Sequence, residues 1–163
     1  MFKKPSYEEN CIFARNGILM KQFPDTDGAT RSLTLVNDLR QVSLLPGFVD
    51  RLREENGLAP ALAAKINLAL EEAVCNVIHY AYPEGTAGKM DLEAVREGNR
   101  LRFTLTDRGK AFDPTAAPEA DLSSSVEDRP VGGLGIHLVR SIMDSIRYQR
   151  QDGQNVLTMI IHL

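Results

Sequence analysis

An acid, an amide and an imidazole stand at helical spacing near the middle of this chain. Glu72, Asn76 and His79 belong to a stretch, residues 61–82, that contains neither proline nor glycine. At about 100° per residue, Asn76 falls roughly 40° from Glu72, and His79 falls about 20° to the other side. The spacing therefore predicts one polar stripe on a helix, and a metal-bound phosphate is one candidate ligand for it. An ordinary solvated helix face is the alternative.

The opposite side of the same predicted helix is apolar. Its residues recur at helical intervals and are Ile66, Leu70, Ala73, Val77 and Ala81. A continuous apolar stripe of this kind indicates the face that packs against the core. The polar stripe is thereby predicted to face away from the core, toward a partner or solvent.

The second half of the chain adds an acid and two groups of glycines. Asp107 and Gly109 end a strand-like run, and residues 132–135 read Gly-Gly-Leu-Gly at the start of a helix-like run. Residues 115–129 lie between them, rich in alanine, proline, serine and acids, without apolar periodicity. Loops beyond ~12–15 residues are usually functional or disordered, and glycine-rich helix starts favour phosphate. The pattern predicts a lid that closes over an anion site.

Two common glycine motifs fit this segment poorly. The Walker pattern requires lysine and then serine or threonine after its last glycine, whereas Ile136 and His137 stand there. The dinucleotide fingerprint requires a further glycine and a preceding strand, whereas a loop with Pro130 precedes this run. Both nucleotide folds are therefore disfavoured.

Taken in order, the three groups resemble a known family. Glu72 and Asn76 resemble the N box of the GHKL ATPase superfamily, and Asp107–Gly109 and residues 132–135 resemble its two glycine boxes. Within it, the likeness is strongest to the small anti-sigma-factor serine/threonine kinases of bacterial stress and sporulation switches. The resemblance extends over about residues 33–163 and implies a Bergerat-type ATP-binding fold.

The resemblance also implies roles for individual residues. Asn76 would hold a Mg²⁺ that bridges the phosphates of ATP, and Glu72 would be the general base. Asp107 would accept the adenine amino group, and Gly109 would let the base approach. The other nucleotide-binding positions that it implies are His79, Tyr80, Lys110, Ala111, Arg129, Gly132, Gly133, Leu134, Gly135 and Ile136.

Several of these positions carry further expectations. The resemblance places His79 toward the phosphates and Tyr80, which replaces a histidine common in the kinase branch, beside the nucleotide. Ala111 replaces the second glycine of the first glycine box. Lys110 and Arg129 bracket the lid and could neutralise phosphate charge, with solvated loop charges as the alternative.

The order of predicted elements indicates an α+β fold. We predict strands over 31–36, 89–97, 100–106, 145–151 and 155–162, and helices over 38–56, 60–82 and 135–144. Strands in pairs with helices grouped between them predict a two-layer sandwich. Its sheet should be mixed, mostly antiparallel, and covered on one face by about three helices. Residues 1–30 are predicted to be an N-terminal extension with a short hairpin over 10–21, and residues 31–163 the kinase domain.

Composition excludes several classes of protein. At 163 residues the chain is long enough for one domain with a proper core. A net charge of −3 gives no electrostatic basis for nucleic-acid binding. Residues 1–5 lack the apolar segment of a signal peptide, and no run reaches the ~20 apolar residues that span a bilayer. Cys11 and Cys75 are too few for a disulfide framework, so we expect a cytoplasmic protein.

Three functions are consistent with these observations. The preferred one is an ATP-dependent serine/threonine protein kinase and anti-sigma-type regulator. It would phosphorylate a STAS-type antagonist and also bind a sigma factor or another regulator, and the resemblance suggests a homodimer. The second is an ATP-binding module that sequesters a partner without phosphate transfer. The third, a split histidine-kinase domain, is weakest because His79, His137 and His162 all lie inside the predicted domain.

Overall fold

The computed structural model describes residues 11–13, 19–21, 28–116 and 133–163. Three α-helices are present in this part of the chain, α1 (Leu45–Asn56), α2 (Pro60–Tyr80) and α3 (Gly133–Ile142). The strands are β1 (Cys11–Phe13), β2 (Leu19–Lys21), β3 (Thr30–Val36), β4 (Lys89–Glu97), β5 (Arg100–Asp107), β6 (Ser145–Gln151) and β7 (Gln154–His162). Short 3₁₀ helices span Leu39–Leu44 and Pro114–Ala116.

Five strands form the main sheet in the order β3-β4-β5-β7-β6. All four pairings are antiparallel, so the sheet is more regular than the mixed sheet predicted from the sequence. Two of the pairs are tight hairpins. At the β6–β7 turn, Asp152 and Gly153 have φ values of 52° and 75°, as in the turn type whose twist matches antiparallel strands. The predicted α+β class is confirmed.

The core lies between one face of the sheet and the helices. Buried and exposed residues alternate along β4 and β5, and Phe103 is fully buried at the centre. The predicted apolar stripe of α2 packs here, because Ile66, Leu70 and Ala73 are buried and Val77 packs partly buried against them. Along the polar stripe of α2, Glu72 and Asn76 are half-buried and His79 is exposed.

The first predicted helix, over residues 38–56, divides into a 3₁₀ helix that ends at Leu44 and an α-helix, α1, that begins at Leu45. The Asp38 side chain accepts a hydrogen bond from the Arg40 backbone N–H at 2.9 Å and caps the 3₁₀ helix. Pro46 then stands in the first turn of α1, where its missing N–H costs no hydrogen bond. Gly57 ends α1 in the left-handed conformation, with φ 64°.

The N-terminal hairpin and the lid were less fully defined by the sequence. β1 and β2 pair antiparallel, with Phe13 opposite Leu19, as the predicted hairpin requires. Most of the predicted lid, beyond Ala116, lies outside the described residues. In the part of the chain that the structure covers, no helix is both long and apolar enough to cross a membrane.

Candidate functional site

A cavity that opens to solvent lies between α2 and the sheet. Its walls are mostly apolar, with four buried or half-buried polar groups among them. They are formed by Ala73, Asn76, Val77, Ala81, Leu105, Asp107, Phe112, Pro114, Tyr148, Asn155 and Leu157. An apolar slot with a few convergent polar groups is typical of a small-molecule site.

Asp107 is the acid of this cavity. It ends β5 and is only 4% exposed. Its Oδ1 accepts hydrogen bonds from the Gly109 backbone N–H at 2.8 Å and from Asn155 Nδ2 at 2.9 Å. Within the described residues, Oδ2 accepts none. Asp107 borders the cavity, so Oδ2 is available to a ligand N–H.

Position 109 must be glycine because the backbone there packs directly against Ala81. A Cβ at this position would overlap the backbone carbonyl and the methyl group of Ala81, just after α2. The Lys110 backbone N–H donates to that same Ala81 carbonyl at 2.8 Å. Gly109 thus lets the end of α2 approach the end of β5, which brings Asn76 and Asp107 to one cavity. Its predicted contact with a base remains a prediction.

The neighbouring residues of this segment face outward. The side chains of Lys110 and Ala111 are exposed, and neither lines the cavity. Asp152 is the only non-glycine residue with positive φ in the described part of the chain, so Ala111 does not use the conformational freedom of the glycine it replaces. The substitution is therefore compatible with the backbone of this segment.

The three residues of the polar stripe of α2 have different surroundings. Asn76 lines the cavity, and Glu72, one turn earlier, is half-buried. The Glu72 Oε2 lies against Gly135, where an added Cβ would collide with it. His79 is exposed and lies outside the cavity wall. The Glu72 carboxylate therefore contacts the first turn of α3.

Tyr80 reaches the site through a second aromatic ring. Its ring stacks on Phe112 with centroids 5.3 Å apart and planes inclined by 28°. Phe112 in turn lines the cavity, while Tyr80 does not. Tyr80 is thus placed to fix a wall of the cavity.

The second glycine group forms the start of α3. Gly133, Leu134 and Gly135 lie in its first turn, and the Ile136 side chain is buried in the core at 2% exposure. Only the backbone of Ile136 can therefore serve a ligand. The unpaired N–H groups and the dipole of a helix start favour an anion. Arg129 and Gly132 lie outside the described residues.

Among the cavity residues that the sequence analysis does not assign to a site, three carry polar or aromatic side chains. They are Phe112, Tyr148 and Asn155, and Asn155 is predicted only as the start of a strand. The register of β5 and β7 places Asn155 directly opposite Asp107. The β6–β7 hairpin was predictable, but nothing in the sequence paired β7 with β5.

The side chains at the site disfavour a thiolate nucleophile and fit a magnesium ion bound together with phosphates. Burial and the nearby carboxylates of Glu72 and Glu71 raise the pKa of the Cys75 thiol, which disfavours a nucleophilic thiolate. Among the described residues, no group of three or more His, Cys, Asp or Glu side chains could hold a metal. Mg²⁺ prefers oxygen ligands and keeps several waters, so Asn76 together with ligand phosphates fits it.

Comparison with known proteins defines the class. Residues 35–161 match the model of the histidine kinase-like ATPase domain family, and the chain belongs to that family. The resemblance inferred from the three motifs is thereby confirmed.

Two proteins that this chain resembles are named as protein kinases. The chain is 33% identical over 97 residues to the serine/threonine-protein kinase BtrW of Bordetella bronchiseptica, a match that covers 60% of this chain and 68% of BtrW. It is 35% identical over 92 residues to the serine-protein kinase RsbW of Halalkalibacterium halodurans, covering 54% of this chain and 56% of RsbW. The matched residues thus span about two thirds of BtrW and little more than half of RsbW.

One solved structure shares the fold. The crystal structure of the RsbU and RsbW domains of Rv1364c from Mycobacterium tuberculosis superimposes with a TM-score of 0.59 at 17% identity. The alignment covers 82% of this chain and 32% of the other. It supports the fold assignment.

Proposed function

We propose that this protein is an ATP-dependent serine/threonine protein kinase and anti-sigma-type regulator. Its substrate would be a serine or threonine of a STAS-type antagonist, and a sigma factor or another regulator would be its second partner. The relatives supply the class of reaction. The observation that carries the proposal is the placement of Glu72 and Asn76 one helical turn apart, between the mostly apolar cavity and the start of α3.

The cavity suits the adenine ring of ATP. Apolar side chains from α2 and the sheet would cover its faces, and Asp107 Oδ2 would accept a hydrogen bond from the 6-amino group. Because Asp107 is buried, that hydrogen bond would be shielded from water and would fix the base in one orientation. The base would thereby set the direction in which the phosphates leave the cavity.

The phosphates would extend along α2 toward α3. The Asn76 side-chain oxygen would be the protein ligand for Mg²⁺, and the first-turn N–H groups of α3 would bind phosphate oxygens. When bound, Mg²⁺ supplies positive charge that offsets the charge of the phosphates. Phosphoryl transfer depends chiefly on such positioning and charge neutralisation.

Glu72 would accept the proton of the attacking hydroxyl. The substrate oxygen would form a bond to the γ-phosphorus as the bond to the bridging oxygen of ADP breaks, and the proton would pass to the Glu72 carboxylate. Glu72 lies one turn from Asn76 and against Gly135, so it borders the predicted phosphate position on the side of α3. General-base assistance typically contributes about 10²–10⁴-fold to a rate.

A phosphotransfer assay tests the proposal. The purified protein is incubated with γ-labelled Mg-ATP and a STAS-domain protein, and phosphoserine and phosphothreonine are identified by mass spectrometry. Wild type should label the STAS protein, and Glu72→Ala should bind ATP but transfer at least about 100-fold more slowly. Glu71→Ala is the matched control, because its carboxylate accepts a hydrogen bond from Asn67 on the same helix. Wild type that binds ATP without labelling any hydroxyl residue would refute kinase activity and leave the partner-sequestering module.

A further inference from the structure

We propose that Asn155 is a positioning residue that holds the Asp107 carboxylate in a single orientation and so determines which bases the cavity accepts. This inference rests on the proposed nucleotide site and extends it to residues on β6 and β7. It concerns a hydrogen-bond network that the motifs of the chain do not include.

Asn155 makes four hydrogen bonds in the floor of the cavity. It is 5% exposed, and its Nδ2 donates to Asp107 Oδ1 at 2.9 Å and to the Lys110 carbonyl at 2.9 Å. Its Oδ1 accepts from the Tyr148 hydroxyl at 2.8 Å and from an Arg150 guanidinium nitrogen at 2.7 Å. Both donors and both acceptor positions of the amide are therefore in use.

The chemistry of the partners fixes which way the amide points. Arginine has only donors, so the Asn155 atom facing Arg150 must be the oxygen. A carboxylate and a carbonyl can only accept, so the atom facing Asp107 and Lys110 must be the nitrogen. Because its hydrogen-bonding capacity is saturated, Asn155 has nothing left for a ligand. It acts through Asp107 instead.

The hydrogen bond from Asn155 fixes the orientation of the Asp107 carboxylate. Oδ1 is held by two N–H donors, from Gly109 and from Asn155, and Oδ2 remains for the ligand. A fixed acceptor selects a 6-amino purine and disfavours a 6-oxo purine, whose own oxygen would face the carboxylate. Sites built around a buried hydrogen-bonding group discriminate strongly against ligands that leave it unpaired.

Arg150 ties this network to the segment that follows β5. The same guanidinium nitrogen that contacts Asn155 also donates to the Gly109 carbonyl at 3.0 Å. Asn155 holds the next carbonyl, that of Lys110. The turn that carries Asp107 is thus held by side chains from β6 and β7, and removing either should loosen the carboxylate without touching Glu72 or Asn76.

Calorimetric titration with Mg-ADP and Mg-IDP tests the inference, because inosine carries an oxygen where adenosine carries the amino group. We expect Asn155→Ala to weaken ADP about tenfold and IDP less than about twofold, so that the selectivity ratio falls severalfold. In the kinase assay the KM for ATP should rise while kcat at saturating ATP is unchanged. A merely structural role would weaken both nucleotides alike.

Two milder variants keep the inference testable if Asn155→Ala does not fold. Tyr148→Phe keeps the ring that lines the cavity and removes only the hydroxyl, and Arg150→Met removes the other donor. Both should lower the ADP-to-IDP selectivity. Arg147→Met, an exposed arginine on the same strand, is the matched control and should leave it unchanged.

The outcomes separate this inference from the proposed function. If wild type prefers ADP and the variants that fold retain the full preference, the positioning role of Asn155 is wrong and the nucleotide site stands. If wild type binds ADP and IDP equally, the selectivity role is likewise wrong. If wild type binds neither, both the proposed function and this inference are refuted.

Discussion

Two glycines at the site have different steric reasons to be glycine. At Gly135 an added Cβ would meet the terminal oxygen of Glu72, which belongs to a flexible side chain. At Gly109 it would meet the backbone of Ala81, which cannot move without displacing the end of α2. The first glycine therefore makes room for a functional group, and the second makes room for a helix.

Replacing Gly135 by alanine should impair phosphotransfer more than binding. The Glu72 carboxylate would be pushed aside while the cavity and Asn76 stay in place. Misplacing a reacting group by about 1 Å can cost on the order of 100-fold in rate. We therefore expect kcat to fall by roughly that factor, with the calorimetric Kd for Mg-ADP within about threefold of wild type.

Gly109→Ala is the comparison for that experiment. Its Cβ would collide with backbone, so it should lower the free energy of unfolding by about 1–3 kcal/mol in urea denaturation. Two results would show that the contact between Gly135 and Glu72 does not serve catalysis. Gly135→Ala would keep full kcat, or it would lose as much stability as Gly109→Ala is expected to lose.

At the level of single residues, the sequence predicted what local periodicity can predict. Helical spacing placed Glu72 and Asn76 on one stripe, and the structure has them there. Asn155 and Tyr148 could not be found in this way, because their place at the cavity depends on which strands pair. Periodicity shows which residues share a face of their own element, and pairing across the sheet is a long-range property.

At the scale of elements, Tyr82, two residues beyond the C-terminal end of α2, anchors that end of the helix. The ring lies over Gly88, where a Cβ would overlap it. The hydroxyl donates to the Lys89 carbonyl at 2.8 Å and accepts from the Arg108 N–H at 3.1 Å. One side chain therefore connects the end of α2 to the start of β4 and to the residue that follows Asp107.

Tyr82→Phe should keep the packing and lose these two hydrogen bonds. We expect about 1 kcal/mol lower free energy of unfolding at pH 7, since hydrogen bonds of this kind contribute roughly 0.5–1.5 kcal/mol each and these are partly exposed. Tyr80→Phe is the matched control, because it preserves the ring stacked on Phe112. Equal stability of wild type and Tyr82→Phe would show that the hydroxyl contributes nothing to this junction.

The same substitution has a signature at high pH. Burial is the main cause that raises the pKa of Tyr82 above its ordinary value. The folded state therefore keeps the phenol proton at a pH where the unfolded chain has released it. The stabilisation is complete below the pKa of the unfolded chain, about 10, and is lost as pH rises through the folded value. The stability advantage of wild type over Tyr82→Phe should accordingly shrink above about pH 10.

The elements themselves were largely predictable, for identifiable reasons. Gly98-Asn99 and Asp152-Gly153 lie between the paired strands, and the turns of the two hairpins use positive φ at Gly98, Asp152 and Gly153. The 3₁₀ helix before Pro46 is not among the predicted elements, because its hydrogen bonds differ from those of an α-helix by only one residue in span.

For the whole molecule, the site is formed where three parts of the fold meet. Asn76 comes from α2, Asp107 and Asn155 come from the sheet, and Gly135 comes from α3. These parts are far apart in sequence and come together only in the folded chain. A ligand held by all of them binds the native state and has no equivalent site in the unfolded chain, so binding must raise stability.

Thermal unfolding with nucleotide measures this linkage. Mg-ADP at about 100 times its Kd should stabilise the folded protein by about 2.7 kcal/mol, which corresponds to a rise in Tm of roughly 5–10 °C for a domain of this size. Glu72→Gln should keep the rise, because it alters the predicted base and leaves the cavity intact. Asn76→Ala should lose the part that depends on Mg²⁺ and should unfold at the same temperature with Mg-ADP as with ADP and a chelator. An undiminished Mg²⁺-dependent rise in Asn76→Ala would remove this residue from the metal site.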